Sequence, residues 1–92
     1  MQIKIARIGV LDDTLPSSFE IDIDKEQTTV NEVMDVLDRE YGGVKDELIW
    51  NRALSPGCRI LLNGRSIDGY RGLKTVMRDG DRLLITILIN GG

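Results

Sequence analysis

Histidine is absent from this chain of 92 residues, and cysteine occurs once, as Cys58. Without histidine, the Ser-His and Cys-His pairs that activate a nucleophile cannot form. A single cysteine allows no internal disulfide and, without histidine, no recognisable zinc or iron–sulfur site. We therefore expect a chain that binds no metal and is not an enzyme, but is acted upon by other proteins.

Several other features are missing as well. Neither standard Gly-rich phosphate loop is present, so no nucleotide site is expected. No apolar run approaches the roughly 20 residues that span a bilayer, and the N-terminus alternates Ile and Lys instead of resembling a signal peptide. The net charge is −3, without a basic stripe carrying interleaved aromatics. These absences predict a cytoplasmic protein that binds neither membrane nor nucleic acid, and the charge would suit a partner with a basic docking face.

The first half of the chain has the patterns of two strands and a helix. Residues 2–10 predict an Ile-rich strand with a bulge or bend near Ala6-Arg7, because the apolar residues change parity there. Residues 18–24 alternate apolar and acidic side chains, which predicts a half-buried strand antiparallel to the first. Thr29 and Glu32 have the spacing of a capping box at the start of a helix. The predicted apolar stripe of that helix consists of Val30, Val33, Met34, Leu37 and Tyr41, followed by a Gly42-Gly43 end.

The second half predicts a hairpin and a final strand. Residues 44–58 are too apolar for a solvated loop, so a short helical turn or a covered loop is expected. Asn63-Gly64 is a two-residue turn signal within a hairpin over residues 59–67. Residues 68–78 are expected to form an irregular crossing, and Asp79-Gly80-Asp81 a tight turn. Residues 82–89 are nearly all apolar, which predicts a central strand with a helix against one face.

Three residue sets have both a functional and a structural interpretation. Cys58 could relay sulfur, but we interpret it as a small hydrophobe, because no neighbouring His or Lys would lower its pKa. The acidic residues Glu20, Asp22 and Asp24, with Asp12 and Asp13 nearby, could bind metal, but their alternation favours a solvated strand face. Residues 83–89 present two apolar faces, and one of them is either covered by loops or open as an interaction site.

The chain ends in Asn90-Gly91-Gly92, directly after the last predicted strand. Two glycines form a thin tether that can enter a narrow channel and adopt backbone angles that other residues avoid. The tether presents one reactive group, the carboxylate of Gly92. We therefore predict a folded domain over residues 1–89 and a flexible tail over residues 90–92, although a chance glycine pair at a frayed end has the same sequence.

These features together resemble the ubiquitin-like β-grasp sulfur carriers. The resemblance lies in residues 60–65 (Ile-Leu-Leu-Asn-Gly-Arg), Gly72-Leu73, residues 79–83 (Asp-Gly-Asp-Arg-Leu) and the terminal Gly91-Gly92. The chain is similar to the small subunit of molybdopterin synthase and, more loosely, to the thiamine-pathway sulfur carrier. Residues 44–58 are longer than in the shortest carriers and resemble the ubiquitin-related modifier. The resemblance implies an α+β fold of the β-grasp type, a mixed sheet of four to five strands packed on one main helix.

The resemblance also implies a mechanism and partners. A ubiquitin-activating-type adenylyltransferase, which itself binds ATP and magnesium, would adenylate the carboxylate of Gly92. Sulfur from a persulfide enzyme would then replace AMP and leave a thiocarboxylate. Gly91 would give access to the active site, Leu88, Ile89 and Asn90 would contact the partner, and the chain itself would bind no cofactor. The large subunit of molybdopterin synthase is a further implied partner.

Three functions remain open at this point. The first is a sulfur carrier for cofactor or tRNA sulfuration, and the second is a modifier joined to lysines of other proteins. Both use Gly92 and differ only in the product, a thiocarboxylate or an isopeptide. The third is an interaction module whose Gly-Gly has no chemistry.

Overall fold

The computed structural model describes residues 1–9, 15–50, 53–54 and 57–87, which form nine strands and two α-helices. The elements are, in chain order, β1 (Gln2–Gly9), β2 (Ser18–Asp22), β3 (Gln27–Thr29), α1 (Val30–Tyr41), α2 (Val44–Leu48), β4 (Ile49–Trp50), β5 (Ala53–Leu54), β6 (Cys58–Leu62), β7 (Arg65–Ser66), β8 (Val76–Arg78) and β9 (Arg82–Ile87). Two 3₁₀ turns, Ile67–Gly69 and Gly72–Lys74, lie between β7 and β8.

Five of the strands form one mixed sheet in the order β2-β1-β9-β6-β7. Strands β1 and β9 run parallel, and the other neighbours in this sheet are antiparallel. The apolar strand β9 lies at the centre, as its composition predicted. This arrangement places the first and last described strands side by side, with Gly9 beside Ile87 and the N-terminus at the opposite end of the strand pair.

Strand β1 has no bulge near Ala6-Arg7, so the first of the two predicted irregularities, a bulge or a bend, is wrong. Its register is continuous on both sides, from Gln2 to Ala6 against β2 and from Lys4 to Gly9 against β9. The parity change has another cause. Ile3 and Ile5 point into the core, whereas Ile8 points to the opposite side and is 61% exposed. The change of parity in the sequence reflects an exposed Ile side chain and not an extra residue in the strand.

Helix α1 begins at the predicted cap. The Oγ1 of Thr29 accepts a hydrogen bond from the backbone N–H of Glu32, at 3.2 Å. The carboxylate of Glu32 accepts instead from Thr28 Oγ1, at 3.0 Å, and from Lys25 Nζ, at 2.7 Å. These charge-assisted bonds hold the pKa of Glu32 below its ordinary value, with the bond from Lys25 as the largest cause.

The apolar stripe of α1 is confirmed at four of its five positions. Val30, Val33, Met34 and Leu37 are fully buried, while Tyr41 is 37% exposed and packs edge-on against Phe19. Tyr41 leaves the stripe because it is the last residue of the helix, where the chain turns at Gly42 with a φ of 72°. A positive φ is accessible to glycine at little cost, which explains the glycine end.

Residues 44–58, which were expected to form a short helical turn or a covered loop, contain the predicted helical turn and one feature that was not predicted. Helix α2 is the short turn, and Val44 and Leu48 bury its apolar side. A small antiparallel ribbon, β4 with β5, follows it. Strands of two residues are too short to show a period in the sequence, so the ribbon could not be predicted.

The hairpin around Asn63-Gly64 is confirmed. Strands β6 and β7 pair antiparallel, and Asn63 and Gly64 have φ values of 51° and 86°. Two positive φ values in a two-residue loop are typical of the turn that matches the twist of a hairpin. This turn also positions Asn63 beside β9, where its Oδ1 accepts from the N–H of Arg82 at 3.0 Å.

The crossing over residues 68–78 is more regular than predicted. Its last residues form β8, which pairs antiparallel with β3, and Leu73 is half-buried as expected. The turn at Asp79-Gly80-Asp81 is confirmed. Asp79 Oδ1 accepts from the N–H of Gln2 at 2.6 Å, and Asp81 Oδ2 accepts from the N–H of Arg78 at 2.8 Å. Both aspartates therefore hold the turn that leads into β9.

Candidate functional site

The residues predicted to react and to contact a partner lie at the end of β9. Leu88, Ile89, Asn90, Gly91 and Gly92 fall outside the described residues. The boundary between a domain over residues 1–89 and a tail over residues 90–92 therefore stays a prediction. The structure does describe the strand that leads to these residues, and the faces of that strand are the nearest described surface.

The two faces of β9 differ in burial. Leu83 and Ile85 are 1% and 0% exposed and belong to the core beneath the sheet. Leu84 and Thr86 point to the other side and are only half-buried. The sequence left open whether loops cover this second face. The structure shows a partly open surface that continues along the strand toward the tail.

The strand order assembles this surface from three strands. We name it the outer face, and it consists of Lys4, Ala6, Ile8, Arg59, Leu61, Arg82, Leu84 and Thr86. On the outer face, register partners of neighbouring strands form rows across the sheet. Ala6, Leu84 and Leu61 are register partners and form an apolar centre, while Lys4 and Arg82 are partners at the end farther from the tail.

A shallow groove of about 390 Å³ lies at the Lys4 end of the outer face. Ala6, Leu61 and Leu84 line it together with the charged side chains of Lys4 and Arg82. Neither of these two cations forms an ion pair with another described residue. An apolar floor bordered by unpaired cations suits an apolar side chain flanked by carboxylates.

Charge is distributed unevenly along the chain. Residues 57–87 contain six arginines and lysines against three aspartates, whereas residues 15–50 contain three against ten acidic residues. The outer face carries Lys4, Arg59 and Arg82. The negative net charge suggested a partner with a basic surface, which these charges do not test, whereas the three cations of the outer face would suit an acidic surface.

The acidic residues of β2, together with Asp24 just after it, form the solvated face that their alternation predicted. Glu20, Asp22 and Asp24 are exposed, whereas Ile21 and Ile23 are buried. Asp12 and Asp13 lie outside the described residues. In the part of the chain that the structure describes, no three His, Cys, Asp or Glu side chains gather into a possible metal site.

A second groove, of about 490 Å³, follows helix α1 and is lined mainly by charged side chains. Most of its charges are compensated locally. Lys25 is paired with Glu32, and Lys45 is paired with Asp35, which raises the pKa of Lys45 through their hydrogen bond. Because these pairs are preformed, the groove offers fewer free charges to a ligand than the outer face does.

Cys58 begins β6 and lies opposite Ile87 of β9. Its side chain is buried at 6% exposure, and burial raises the pKa of the thiol to about 11. The thiol is therefore protonated at neutral pH and shielded from solvent, which makes it a poor nucleophile. The structure supports the interpretation as a small core hydrophobe.

This burial predicts slow alkylation of Cys58. In the folded protein at neutral pH, we expect iodoacetamide to modify the thiol at least about tenfold more slowly than after unfolding in urea, because only exposed thiolate reacts. Mass spectrometry of the adduct over time measures both rates. Equal rates in the two states would show that Cys58 is accessible and would reopen a role in sulfur relay.

The fold is that of the ubiquitin-like β-grasp proteins. The solution structure of the Haloferax volcanii HVO 2177 protein matches it with a TM-score of 0.82 at 26% identity, over 100% of this chain and 87% of that one. One chain of the crystal structure of the Amycolatopsis orientalis BexX/CysO complex matches with a TM-score of 0.81 at 21% identity, over 98% and 99%. The predicted fold class is therefore confirmed.

The chain belongs to the ThiS family, which matches residues 13–92, and so to the ubiquitin-like sulfur carriers that the sequence resembled. A "Putative sulfur carrier protein" of Archaeoglobus fulgidus is 33% identical over 82 residues, which cover 85% of this chain and 93% of that protein. "Small archaeal modifier protein 3" of Haloferax volcanii is 31% identical over 67 residues, or 73% of each chain. The names of these two relatives describe a putative sulfur carrier and a modifier.

The sequence pointed to the tail but missed most of the outer face. Lys4, Ala6, Leu61 and Arg82 were not predicted to act together, because three separate strands carry them. The sequence signal that could have found these four residues is alternation along the strands, because each of them lies next to an apolar residue that points into the core. That signal needs the strand order before it can place the four side chains on one surface. Among the described helices, none is long and apolar enough to cross a membrane.

Proposed function

We propose that this chain is a sulfur carrier whose Gly92 carboxylate is adenylated and then converted to a thiocarboxylate. The observation that carries the proposal is the Gly91-Gly92 pair in a member of the ThiS family, shortly after the central strand β9 in the sequence. A carboxylate at that position can be presented without moving the folded body. Asn90, Gly91 and Gly92 extend about 10 Å at roughly 3.3 Å per residue, enough to enter a cleft.

The partner supplies the chemistry in this proposal. An adenylyltransferase of the ubiquitin-activating type binds ATP and magnesium, forms the acyl-adenylate of Gly92 and releases pyrophosphate. The terminal sulfur of a persulfide donor then attacks the acyl carbon and displaces AMP, and a thiol of the donor system reduces the resulting acyl disulfide, which releases the thiocarboxylate and leaves a disulfide on the donor. The chain contributes the nucleophilic carboxylate, a slim tether and a docking surface, and these roles need none of the catalytic side chains that it lacks.

The direct test is the intact mass after incubation with ATP, magnesium, a sulfide source and an extract of the source organism. We expect the mass increase of one oxygen replaced by sulfur, mapped to Gly92. A known carrier added to the same extract serves as the positive control. If that control is thiolated while this chain keeps its mass, the chain is an interaction module and not a carrier.

The outer face is the surface that we propose for docking the activating enzyme. It includes strand β9, which leads in sequence to the tail, and its unpaired cations lie at the start of that strand, so an enzyme docked there would extend along β9 to reach Gly92. Its apolar centre and its unpaired cations, Lys4 and Arg82, suit a partner with an apolar anchor among carboxylates. In the BexX/CysO complex, a chain of this fold was solved together with another protein, which supports a docking role for the body.

Charge reversal on the outer face should slow activation. For Lys4→Glu combined with Arg82→Glu, we expect kcat/KM for adenylation to fall by at least about tenfold, mainly through slower association, and the effect to shrink with added salt. Pyrophosphate release measures the rate. Lys25→Glu combined with Lys45→Glu makes the same charge change beside α1 and serves as the control. An equal loss in both variants would point to net charge and not to the outer face.

The acceptor pathway is a finer proposal. The Asn63-Gly64 hairpin and the Asp79-Gly80-Asp81 turn are similar to those of molybdopterin synthase small subunits, so we propose molybdenum or tungsten cofactor synthesis, with the synthase large subunit as acceptor. Thiocarboxylated chain, mixed with that subunit and the cofactor precursor, should yield the dithiolene product. Transfer of its sulfur to tRNA or to a thiamine precursor instead would assign the other pathway.

A second candidate function is protein modification. It is favoured by the 31% identity to small archaeal modifier protein 3. Here a lysine amine would attack the activated Gly92 and form an isopeptide. The same extract distinguishes the two outcomes, since a modifier gives heavier species linked through Gly92 whereas a carrier gives only the thiocarboxylate.

A further inference from the structure

Strand β2 has an edge to which no other described strand is bonded, on the opposite side of β1 from β9. Strand β2 is the terminal strand of the five-stranded sheet, with β1 as its neighbour there. Its register with β1 is continuous from Ser18 to Asp22, without a bulge. An edge of this kind exposes backbone donors and acceptors that can pair with an added strand.

The alternation of hydrogen bonds along β2 shows which of its backbone groups are not bonded to β1. Ile23 and Met1 exchange both backbone bonds, at 2.8 and 2.7 Å, and Arg7 donates to the carbonyl of Ser17 at 3.0 Å. In an antiparallel pair, bonded and non-bonded residues alternate. The odd-numbered residues of β2 therefore bond to β1. The N–H and C=O groups of Ser18, Glu20 and Asp22 point away from the sheet, toward the open edge.

The side chains along this edge define the chemistry of a partner. Glu20 and Asp22 are exposed and are followed by the exposed Asp24 and Glu26. The negative charges of these side chains are only partly compensated. Lys4 lies opposite Glu20 in the register, and the N-terminal ammonium lies 3.5 Å from the carboxylate of Asp22, a side chain that is 80% exposed. One face of an added strand would therefore meet carboxylates.

The other face of an added strand would meet apolar rings. Phe19 is half-buried, and its ring contacts Tyr41 at the end of α1, with 5.3 Å between the ring centroids. Tyr41 is 37% exposed, so part of this pair remains available beside the edge. An apolar side chain that faces inward from an added strand would cover it.

We propose that the edge of β2 binds an extended segment of another protein in which apolar and basic residues alternate. The backbone of Ser18, Glu20 and Asp22 supplies the pairing, the Phe19–Tyr41 pair takes the apolar side chains, and the carboxylates take the basic ones. A second copy of this chain is a poor occupant. Two β2 strands paired antiparallel through these groups would place Glu20 against Glu20, and like charges directly opposite each other repel.

A synthetic peptide tests this edge directly. The probe alternates Val and Lys over about eight residues, long enough to span β2, and the matched peptide alternates Val and Glu. We expect the Val–Lys peptide to bind at least about tenfold more tightly, because specificity comes from charge complementarity. Amide exchange followed by NMR should show new protection at Ser18, Glu20 and Asp22, with Phe19 and Ile21 unchanged because β1 already protects them.

Two variants make the test specific. Glu20→Lys with Asp22→Lys should reverse the peptide preference, while Glu40→Lys with Asp46→Lys, at exposed positions of α1 and α2, makes the same charge change and should preserve it. Glu20→Pro should abolish binding by removing one outward N–H, a change that edge strands tolerate. Melting temperatures confirm the fold of each variant.

Several results would overturn the proposal. These are equal binding of both peptides, protection located on the outer face, and equal effects of the two lysine variants. New protection of Ser18, Glu20 and Asp22 by rising protein concentration alone would identify a second copy as the occupant and would also contradict it. None of these readouts depends on Gly92, so failure here is separate from failure of the sulfur-carrier function.

Discussion

Deletion of Gly92 should abolish adenylation and thiocarboxylate formation while leaving the melting temperature nearly unchanged. The variant lacks the terminal carboxylate at the position that a partner's active site requires, and the new terminus at Gly91 is shorter by about 3.3 Å. Reacting groups must be held near contact distance, so a shift of this size removes catalysis. The core consists of residues that precede the tail, and none of those described lies beyond Leu83 and Ile85 in sequence.

Two measurements on the same sample check this prediction. Pyrophosphate release reports adenylation, and thermal unfolding by circular dichroism reports stability. A bulky Gly91→Trp variant keeps the carboxylate and the chain length, and it should also block activation if the tether must enter a narrow channel. A large loss of stability on deletion of Gly92 would show that the tail packs on the body and is not free.

Truncation of Ile85 should have the largest effect on folding. Ile85 is fully buried on the central strand, between Arg7 of β1 and Ile60 of β6 in the register. Removal of a buried Ile to Ala costs about 2–5 kcal/mol through lost transfer energy and the cavity that remains. A domain of this size has a total stability near the lower end of about 5–15 kcal/mol. Ile85→Ala should therefore unfold near ambient temperature.

The adjacent residue provides the matched control. Leu84 lies on the same strand, but its side chain belongs to the outer face, where it is half-buried. Leu84→Ala should leave urea unfolding nearly unchanged and should weaken activation, because it removes part of the apolar floor of the groove. Equal destabilisation by the two substitutions would show that the outer face is covered and would exclude it as a docking surface.

Local sequence patterns predicted most of the elements. The alternation around Ile21, the cap at Thr29 and the turn at Asn63-Gly64 each depend on neighbours within a few residues, which is why they could be read without a structure. The errors lie where the explanation is not local. Ile8 was interpreted as a sign of a bulge, because the sequence does not show that an exposed Ile lies on a partly open face.

Strand β8 was missed for a related reason. Val76 to Arg78 form three residues of strand, too few to show a period, and they are a strand because Gln27 to Thr29 lie beside them. Tyr41 was assigned to the buried stripe by its spacing alone. Its position at the end of the helix, beside Phe19 at the edge of β2, depends on how the helix crosses the sheet.

The sequence by itself determined the chemistry available to this protein. It has no histidine, one cysteine, Cys58, and the glycine pair Gly91-Gly92 on which the proposed function rests, since reactive groups are a matter of composition. Only the tertiary structure decided which residues form the two surfaces that we propose for binding. The basic outer face and the free acidic edge of β2 depend on strand order, because each surface joins residues that are distant in the chain and adjacent only in the sheet.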